Sequence, residues 1–495
     1  MDSHQDRHEA SPTAAPSGAA LDNAKGAEAE TGRWAELLAP RYMLTTLMMC
    51  IGVALYAFNG FLVTTALPSA VVELGGAAVI SWSLTLYLTA SIIAGAGAFL
   101  LKQRLGGRMA LMLAALMFLA GTLLAAGATG MTQVLAGRIL QGAGEGIVAA
   151  ICYALIPEMF PSRLVQKVFG AEASVWAIAA FGGPVFAGYL TETLSWRAAF
   201  LVNVPIIAVF MIMALTIVPG RSATSSVSPL PGLRLTLLAG GLLSMLLAGL
   251  AGTLPLAAAM LTASGLALFG VIRLDRRALQ SILPTGAFSR HSTLGLGLWV
   301  VLLMPVAQAT SSVYLVFSLQ HLWGFGPTAA GGLNALMAVT WSLAAIAAAN
   351  IHSPRLQRAT LWLGPLFHVV GIACLFAAIA SGALAVLIVG QVLIGCAFGM
   401  SWGFLSQILM EATPLAERDK TSTLLPTLHS AGFGLGGALA GFVANAAGLT
   451  DEVSPAALRF PLMVAFFGAV LWAVPAILAG RQAVRYPAPP REIGG

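Results

Sequence analysis

The chain has 495 residues, of which 58% are hydrophobic and 9% charged, with a net charge of +6 and a mean hydropathy of +0.88. Soluble domains carry roughly 25% charged residues, and no soluble core absorbs this much apolar surface. The composition therefore excludes a soluble enzyme and points to an all-α polytopic membrane protein.

Residues 1–40 stand apart: they are rich in Ala, Ser, Glu, Asp and Pro and hold no apolar run. A signal peptide would need an apolar core of roughly 7–15 residues, so this segment reads as a disordered cytoplasmic tail. Apolar segments near the roughly 20 residues needed to span a bilayer then follow at 42–66, 80–101, 109–128, 134–156, 168–190, 198–218, 233–251, 254–272, 294–318, 328–350, 360–380, 384–408, 422–446 and 458–480. This predicts about fourteen spans.

Lys and Arg concentrate in alternate loops. Lys102, Arg104, Arg108, Arg163, Lys167, Arg221, Arg234, Arg273, Arg276, Arg277, Arg290, Arg355, Arg358, Arg418 and Lys420 fall on the side of the termini, whereas the opposite loops hold only Arg197 and Arg459. Both termini are thus expected to be cytoplasmic in a plasma (cell inner) membrane protein. The positive charge is topological and implies no nucleic-acid partner. Cys50, Cys152, Cys374 and Cys396 all lie inside expected spans, at no metal-ligand spacing, and read as small apolar side chains. No cofactor or metal is expected.

Part of the chain is duplicated. Gly137, Leu140, Gly142 and Gly146 of the fourth span recur as Gly390, Leu393, Gly395 and Gly399, an offset of 253 residues. The same register relates Glu158 to Glu411, Pro161 to Pro414, Lys167 to Lys420, Gly183 to Gly436 and Gly188 to Gly441. Parallel repeats of this kind place the substrate site at their interface near the midplane. The simplest parse is a tail (1–40), an N-terminal six-helix bundle (41–218), a linker with two extra spans (219–293), a C-terminal six-helix bundle (294–480) and a cytoplasmic tail (481–495).

Three local patterns carry a family resemblance. Arg138, Gln141 and Gly142 fit R-x-x-Q-G; Gly183-Pro184-Val185-Phe186-Ala187-Gly188 approaches G-P-x-x-G-G; and Thr65-Ala66-Leu67-Pro68 closes the first span in A-L-P. Together with their order and placement, they make residues 42–480 resemble the major facilitator superfamily, specifically its 14-span drug:proton antiporters. The resemblance implies alternating access between two six-helix bundles, with two extra helices between them. Gly182, Gly183, Pro184 and Gly188, and Arg104, Gly106 and Arg108 after the second span, would serve as conformational motifs. The chain departs from the pattern twice: Asn59 stands where the first span usually has an Asp, and Gln103 replaces the Asp of the loop after span two.

Arg138, Gln141 and Glu145 lie at i, i+3 and i+7, on one helix face. A charge at mid-bilayer costs about 2.5–3.5 kcal/mol on insertion scales, so such residues mark function or pairing. Glu145 and Arg138 are candidate proton-coupling groups; the competing reading is a buried ion pair or hydrogen-bonding hub. Glu172 is either a further proton site or an interfacial carboxylate. Asn59, Gln141, Trp82, Tyr87, Trp176, Asn334, Trp341 and His368 are candidates for lining the substrate cavity. A lone His such as His368 or His429 is more often a packing residue, and some of the aromatics belong to the interfacial belts.

There is no G-x-x-x-x-G-K-[ST] phosphate loop and no H-E-x-x-H helix, which argues against a nucleotide-driven pump or an intramembrane metalloprotease. The expected function is proton-coupled export of small amphiphilic or cationic compounds by a monomer in the lipid bilayer. The alternatives are a siderophore or metabolite exporter on the same scaffold, and a transport-inactive or lipid-handling membrane protein.

Overall fold

In the computed structural model, the residues described are 34–486, apart from 221–231, 250, 252, 276–280, 282, 350, 352, 415, 416 and 451. Most of the expected N-terminal tail, much of both linkers and the last nine residues thus lie outside the described residues.

Long apolar runs become helices because a backbone in hydrocarbon must satisfy its own hydrogen bonds. They are α1 (Pro40–Leu74), α2 (Ile80–Leu105), α3 (Gly107–Ala126), α4 (Met131–Met159), α5 (Ser162–Thr193), α6 (Asn203–Ile217), α7 (Gly232–Gly249), α8 (Leu254–Asp275), α9 (Thr293–His321), α10 (Pro327–Ala349), α11 (Pro354–Ser381), α12 (Leu384–Glu411), α13 (Arg418–Ala446) and α14 (Pro455–Arg485). No β-strand occurs among the described residues. Among the described residues, thirteen segments are long and apolar enough to cross a bilayer, and α7, at 18 residues, falls outside that set. The protein is a multi-pass integral membrane protein.

Helix ends follow local chemistry. Pro at the first helical position opens α1, α10, α11 and α14, where its missing N–H costs nothing. Ser292 Oγ caps α9 by accepting from Gly295 N at 3.0 Å, and Ser454 Oγ caps α14 through Ala457 N at 3.3 Å. Gly106, at φ 79°, makes the turn from α2 to α3, which a side chain would strain.

Some boundaries differ from the sequence expectation. The first span was expected to end at residue 66, yet α1 runs through Pro68 to Leu74, since Pro in a membrane helix is tolerated when neighbours re-satisfy the freed backbone. The sixth span breaks at Val202 between Trp196–Leu201 and α6; Pro205 sits in the first turn of the second piece, and Asn203 Nδ2 donates to Phe200 O at 3.2 Å across the break. Residues 34–37, expected within the tail, form a short helix. There the Trp34 ring lies against Gly170 of α5, with Lys167 Nζ 5.1 Å from its centroid.

The neighbour pattern repeats. α4 packs on α2 and α3 as α12 packs on α10 and α11, and α1 packs on α5 and α6 as α9 packs on α13 and α14. The matched glycines explain why. A Cβ at Gly142 or Gly146 would overlap the α2 carbonyls of Tyr87 or Ser91, and one at Gly395 or Gly399 would overlap the α10 carbonyls of Met337 or Trp341. Gly137 meets Gly121 of α3, and Gly390 meets Gly371 of α11. Such small-residue contacts let backbones approach closely in lipid.

The two sets of helices join through α5 with α10 and through α2 with α13. Their closest contacts gather at the end where α1 finishes and α2 begins. Thr328 of α10 donates to Glu192 of α5, Gly188 lies against Pro327 and Thr328, Asn445 Nδ2 donates to Ala78 O at 2.8 Å, and Gly441 faces Ser81. One apolar core unites this end of the first helix set with the second set, including Val63, Leu67, Ile80 and Phe317. A separate core, with Met48, Leu55, Ile151 and Phe210, fills the opposite end of the first set. The α7–α8 hairpin lies against both α13 and α2.

Candidate functional site

The polar residues of α4 fall where the glycines bring α2 and α3 closest. Arg138, Gln141 and Glu145 are 2%, 0% and 2% exposed. Arg138 Nη1 donates to Gln141 Oε1 at 2.9 Å, and Gln141 Nε2 donates to Thr122 Oγ1 of α3 at 2.9 Å. The Arg138 guanidinium carbon lies 3.8 Å from the centroid of the Tyr87 ring, a cation–π geometry that gains strength out of water. The Tyr87 hydroxyl donates to Glu145 Oε1, and Asn59 Nδ2 of α1 reaches Glu145 Oε2 at 3.4 Å.

Arg138 and Glu145 form no ion pair within 4.0 Å; the Tyr87 side chain stands between them, with one face toward the cation and its hydroxyl on the carboxyl. Of the two structural readings in the sequence, the hydrogen-bonding hub is realised and the direct ion pair is not. A hub of this kind meets the need of buried polar groups for partners while leaving a carboxyl with no cation against it. Asn59, at the position of the expected first-span Asp, serves as a donor to Glu145, and its own Oδ1 is enclosed without a partner. Directly beside the hub is a small pocket lined by Val63, Thr64, Ser83, Leu84 and Arg138 from the first helix set and by Ser312 of α9.

The remaining sequence candidates separate into distinct places. Glu172 on α5 is 3% exposed, and neither of its carboxylate oxygens has a hydrogen-bond partner. Trp176, one turn further, meets Tyr56 of α1 edge-on at 5.2 Å. Trp82 is partly buried against the larger core, and Asn334 is half-buried on α10. Trp341 stacks on Phe398 at 5.1 Å. His368 is fully enclosed, its Nε2 3.2 Å from Gln308 Oε1.

Of the conformational candidates, Gly183 faces Phe61, and Pro184 O meets Gly331 of α10, whereas Gly182 has open space around it. Arg108 Nε donates to Val218 O at 2.7 Å, and Arg104 is exposed. Lys102 pairs with Glu158.

Sequence reasoning missed several members. Thr122 carries no signal as a lone threonine in an apolar run. Glu192 and Thr328 are 136 residues apart. Glu73, which accepts from Trp196 Nε1 at 2.7 Å and from Arg197 Nη1 at 2.8 Å, was hidden in the same way. The Tyr87–Glu145 pair was within reach, because both residues sit at glycine-faced helix positions.

Residues 49–367 match the family described as the Major Facilitator Superfamily. A probable multidrug-efflux transporter of Mycobacterium tuberculosis is 30% identical over 436 residues, covering 84% of this chain and 91% of that protein. A multidrug transporter protein of Bacillus subtilis is 25% identical over 425 residues, covering 84% and 78%. Among solved structures, an auto-inhibited POT family peptide transporter superposes with a TM-score of 0.67 at 16% identity, covering 90% of this chain and 97% of that one; at that identity the likeness is one of fold.

Proposed function

Since the chain belongs to the major facilitator superfamily, and so is a transporter of small molecules rather than an enzyme, we propose that it exports small amphiphilic or cationic compounds in exchange for protons. The observation that carries this reading is the state of Glu145: a carboxyl buried in α4, held by Tyr87 and Asn59, with no cation among the described residues within ion-pairing distance. An intramembrane carboxyl without a counter-ion marks a proton or ion path. The efflux reading draws support from the relatives of Mycobacterium tuberculosis and Bacillus subtilis.

In this reading the bundles 41–218 and 294–480 rock about the α5/α10 and α2/α13 seams. With both termini cytoplasmic in the cell inner membrane, the joined end is the outer one, and this structure is shut toward the outside. Glu145 takes a proton while it faces outward and gives it up to the cytoplasm as substrate enters. Arg138 senses that change through the Tyr87 ring. Glu172 is a second carrier in the same half. Gly182, Gly183, Pro184 and Gly188 shape the α5 seam, and the monomer is the working unit in the bilayer.

Proteoliposomes with an imposed pH gradient test the proposal. Proton flux should rise when an amphiphilic cation is supplied, and Glu145→Gln should abolish the exchange while leaving a monodisperse protein. Normal gradient-driven export by Glu145→Gln sinks it.

A further inference from the structure

At the 253-residue offset the second helix set keeps the glycine contacts of the first but changes the side chains beside them: Gln391 stands for Arg138 and Phe398 for Glu145. The partner on the adjacent helix changes too, and comes from another position: by the carbonyls that the matched glycines meet, Met337 stands for Tyr87 and Trp341 for Ser91. Where the first set has Tyr87 bonded to Glu145, the second has Trp341 of α10 stacked on Phe398 at 5.1 Å and 21°. Residues 276–410 contain no Asp or Glu at all. The carboxyl centre of one half is thus replaced by rings in the other.

The rings extend past that pair. His368 meets Phe398 edge-on at 5.2 Å. His429 of α13 lies 4.9 Å from Trp402, 5.0 Å from Phe433 and 6.4 Å from Phe398, edge-on in each case. Ordinary aromatic packing buries such rings with their polar atoms satisfied. Here His429 Nε2, His368 Nδ1 and both amide atoms of Gln391 are enclosed without a hydrogen-bond partner. Met304, Phe398, Trp402, Leu405 and His429 also line a small pocket, which must widen as the halves rock to admit a ligand. That pocket adjoins the other half: His429 lies on α13, which packs on α2.

We propose that the pocket between Phe398, Trp402 and His429 is the aromatic subsite of the transported compound. It takes a flat, multi-ring molecule bearing an N–H or O–H group at its edge. The rings lie among Phe398 and Trp402, and the edge group bonds His429 Nε2. A positive centre on the same molecule finds no carboxylate here and lies toward Glu145 instead. The assignment rests on the export reading and adds to it a substrate class and a division of labour: protons in the first half, rings in the second.

Ethidium, a planar cation with amino groups at its edge, is the probe. Its fluorescence is titrated against purified protein in detergent with no pH gradient, so that binding is read apart from proton exchange. The wild type should bind saturably, Phe398→Leu and His429→Leu should weaken binding about tenfold or more, and His429→Gln should restore most of it. Leu405→Trp, which fills the pocket without removing a ring, should also abolish binding and covers the case in which a Leu variant is not monodisperse. Ethidium affinity within twofold of wild type in folded Phe398→Leu and Leu405→Trp overturns the subsite. So does the absence of saturable binding by the wild type, an outcome that leaves the proton-exchange assay to judge export by itself.

Discussion

The Tyr87 hydroxyl on α2 donates a hydrogen bond to the Glu145 carboxyl on α4, across a helix contact that Gly142 and Gly146 make close enough for it. The bond ties the candidate proton carrier to the ring on which Arg138 rests. Tyr87→Phe keeps the ring and removes the donor, leaving Glu145 with Asn59 at 3.4 Å. A hydrogen bond to a charged group is worth about 1.5–3 kcal/mol, so we expect gradient-driven export to slow at least tenfold in proteoliposomes, with the unfolding temperature nearly unchanged. An unaltered initial rate would remove Tyr87 from the coupling path.

Gly142 of α4 and Gly395 of α12 have far less room around them than Gly182 of α5. Gly142→Ala and Gly395→Ala each place a methyl on a backbone carbonyl of the adjacent helix, while Gly182→Ala meets nothing within 4 Å. Overpacking costs about 1–3 kcal/mol, and here backbone, rather than a side chain, would have to yield. Both α4 and α12 variants should lose monodisperse protein in fluorescence-detected size exclusion, and Gly182→Ala should match the wild type. Equal yields of all three would show that the close approach is dispensable.

The joined end depends on Glu192, whose carboxylate accepts from Thr328 in the first turn of α10 and fills the space beside Gly326. A carboxylate at a helix N-terminus is stabilised by the macrodipole, and this one comes from the other half of the molecule. Glu192→Ala should loosen the closure. Hydrogen exchange at residues 188–193 and 326–331 should speed up by about fivefold or more, with α4 unaffected. Unchanged protection at both segments would deny Glu192 a part in holding the two halves together.

Outside the membrane, Glu417 anchors the segment that leads into α9. Thr285 N donates to its Oε2 at 2.7 Å, and Lys420 Nζ lies 3.1 Å from its Oε1. The backbone bond from Thr285, aided by Lys420, holds the carboxyl below its ordinary value of 4.5. A carboxyl lowered in the folded state stabilises it fully above its unfolded value and ceases to do so as pH falls through the folded value. The docking of residues 283–287 should therefore be intact at neutral pH and weaken below about pH 4.5. Amide exchange at Thr285, corrected for intrinsic pH effects, should show that loss in the wild type. Glu417→Gln should remove its pH dependence, and a variant as pH-dependent as the wild type would show that Glu417 is not the group responsible.

The spans, the repeat and the membrane class were legible because bilayer thickness and small-residue packing write themselves into linear patterns. Gly137, Gly142 and Gly146 announced both the duplication and the place where helices meet. Arg138 and Glu145 stood out because charge in an apolar run is expensive. What the sequence withheld was pairing across space. The i, i+7 spacing of Arg138 and Glu145 leaves a direct ion pair open, and only the arrival of Tyr87 from α2 decides against it. Pro68 and Val202 misled at the helix ends, since a proline inside a membrane helix and a break beside Pro205 look alike until neighbouring helices are in place. The role of Phe398 was visible only as a mismatch in an alignment; its meaning comes from Trp341, on another helix.

The matched glycines have one more consequence. Packing in this protein is written in residues with no side chain, and chemistry is written in their neighbours, so the two can drift separately. One half carries charge at 138 and 145 and the other none at 391 and 398, and the fit of α12 to α10 is the same as that of α4 to α2. Duplication thus supplied a spare framework, and the freedom to specialise it came from the positions where the helices touch through bare backbone.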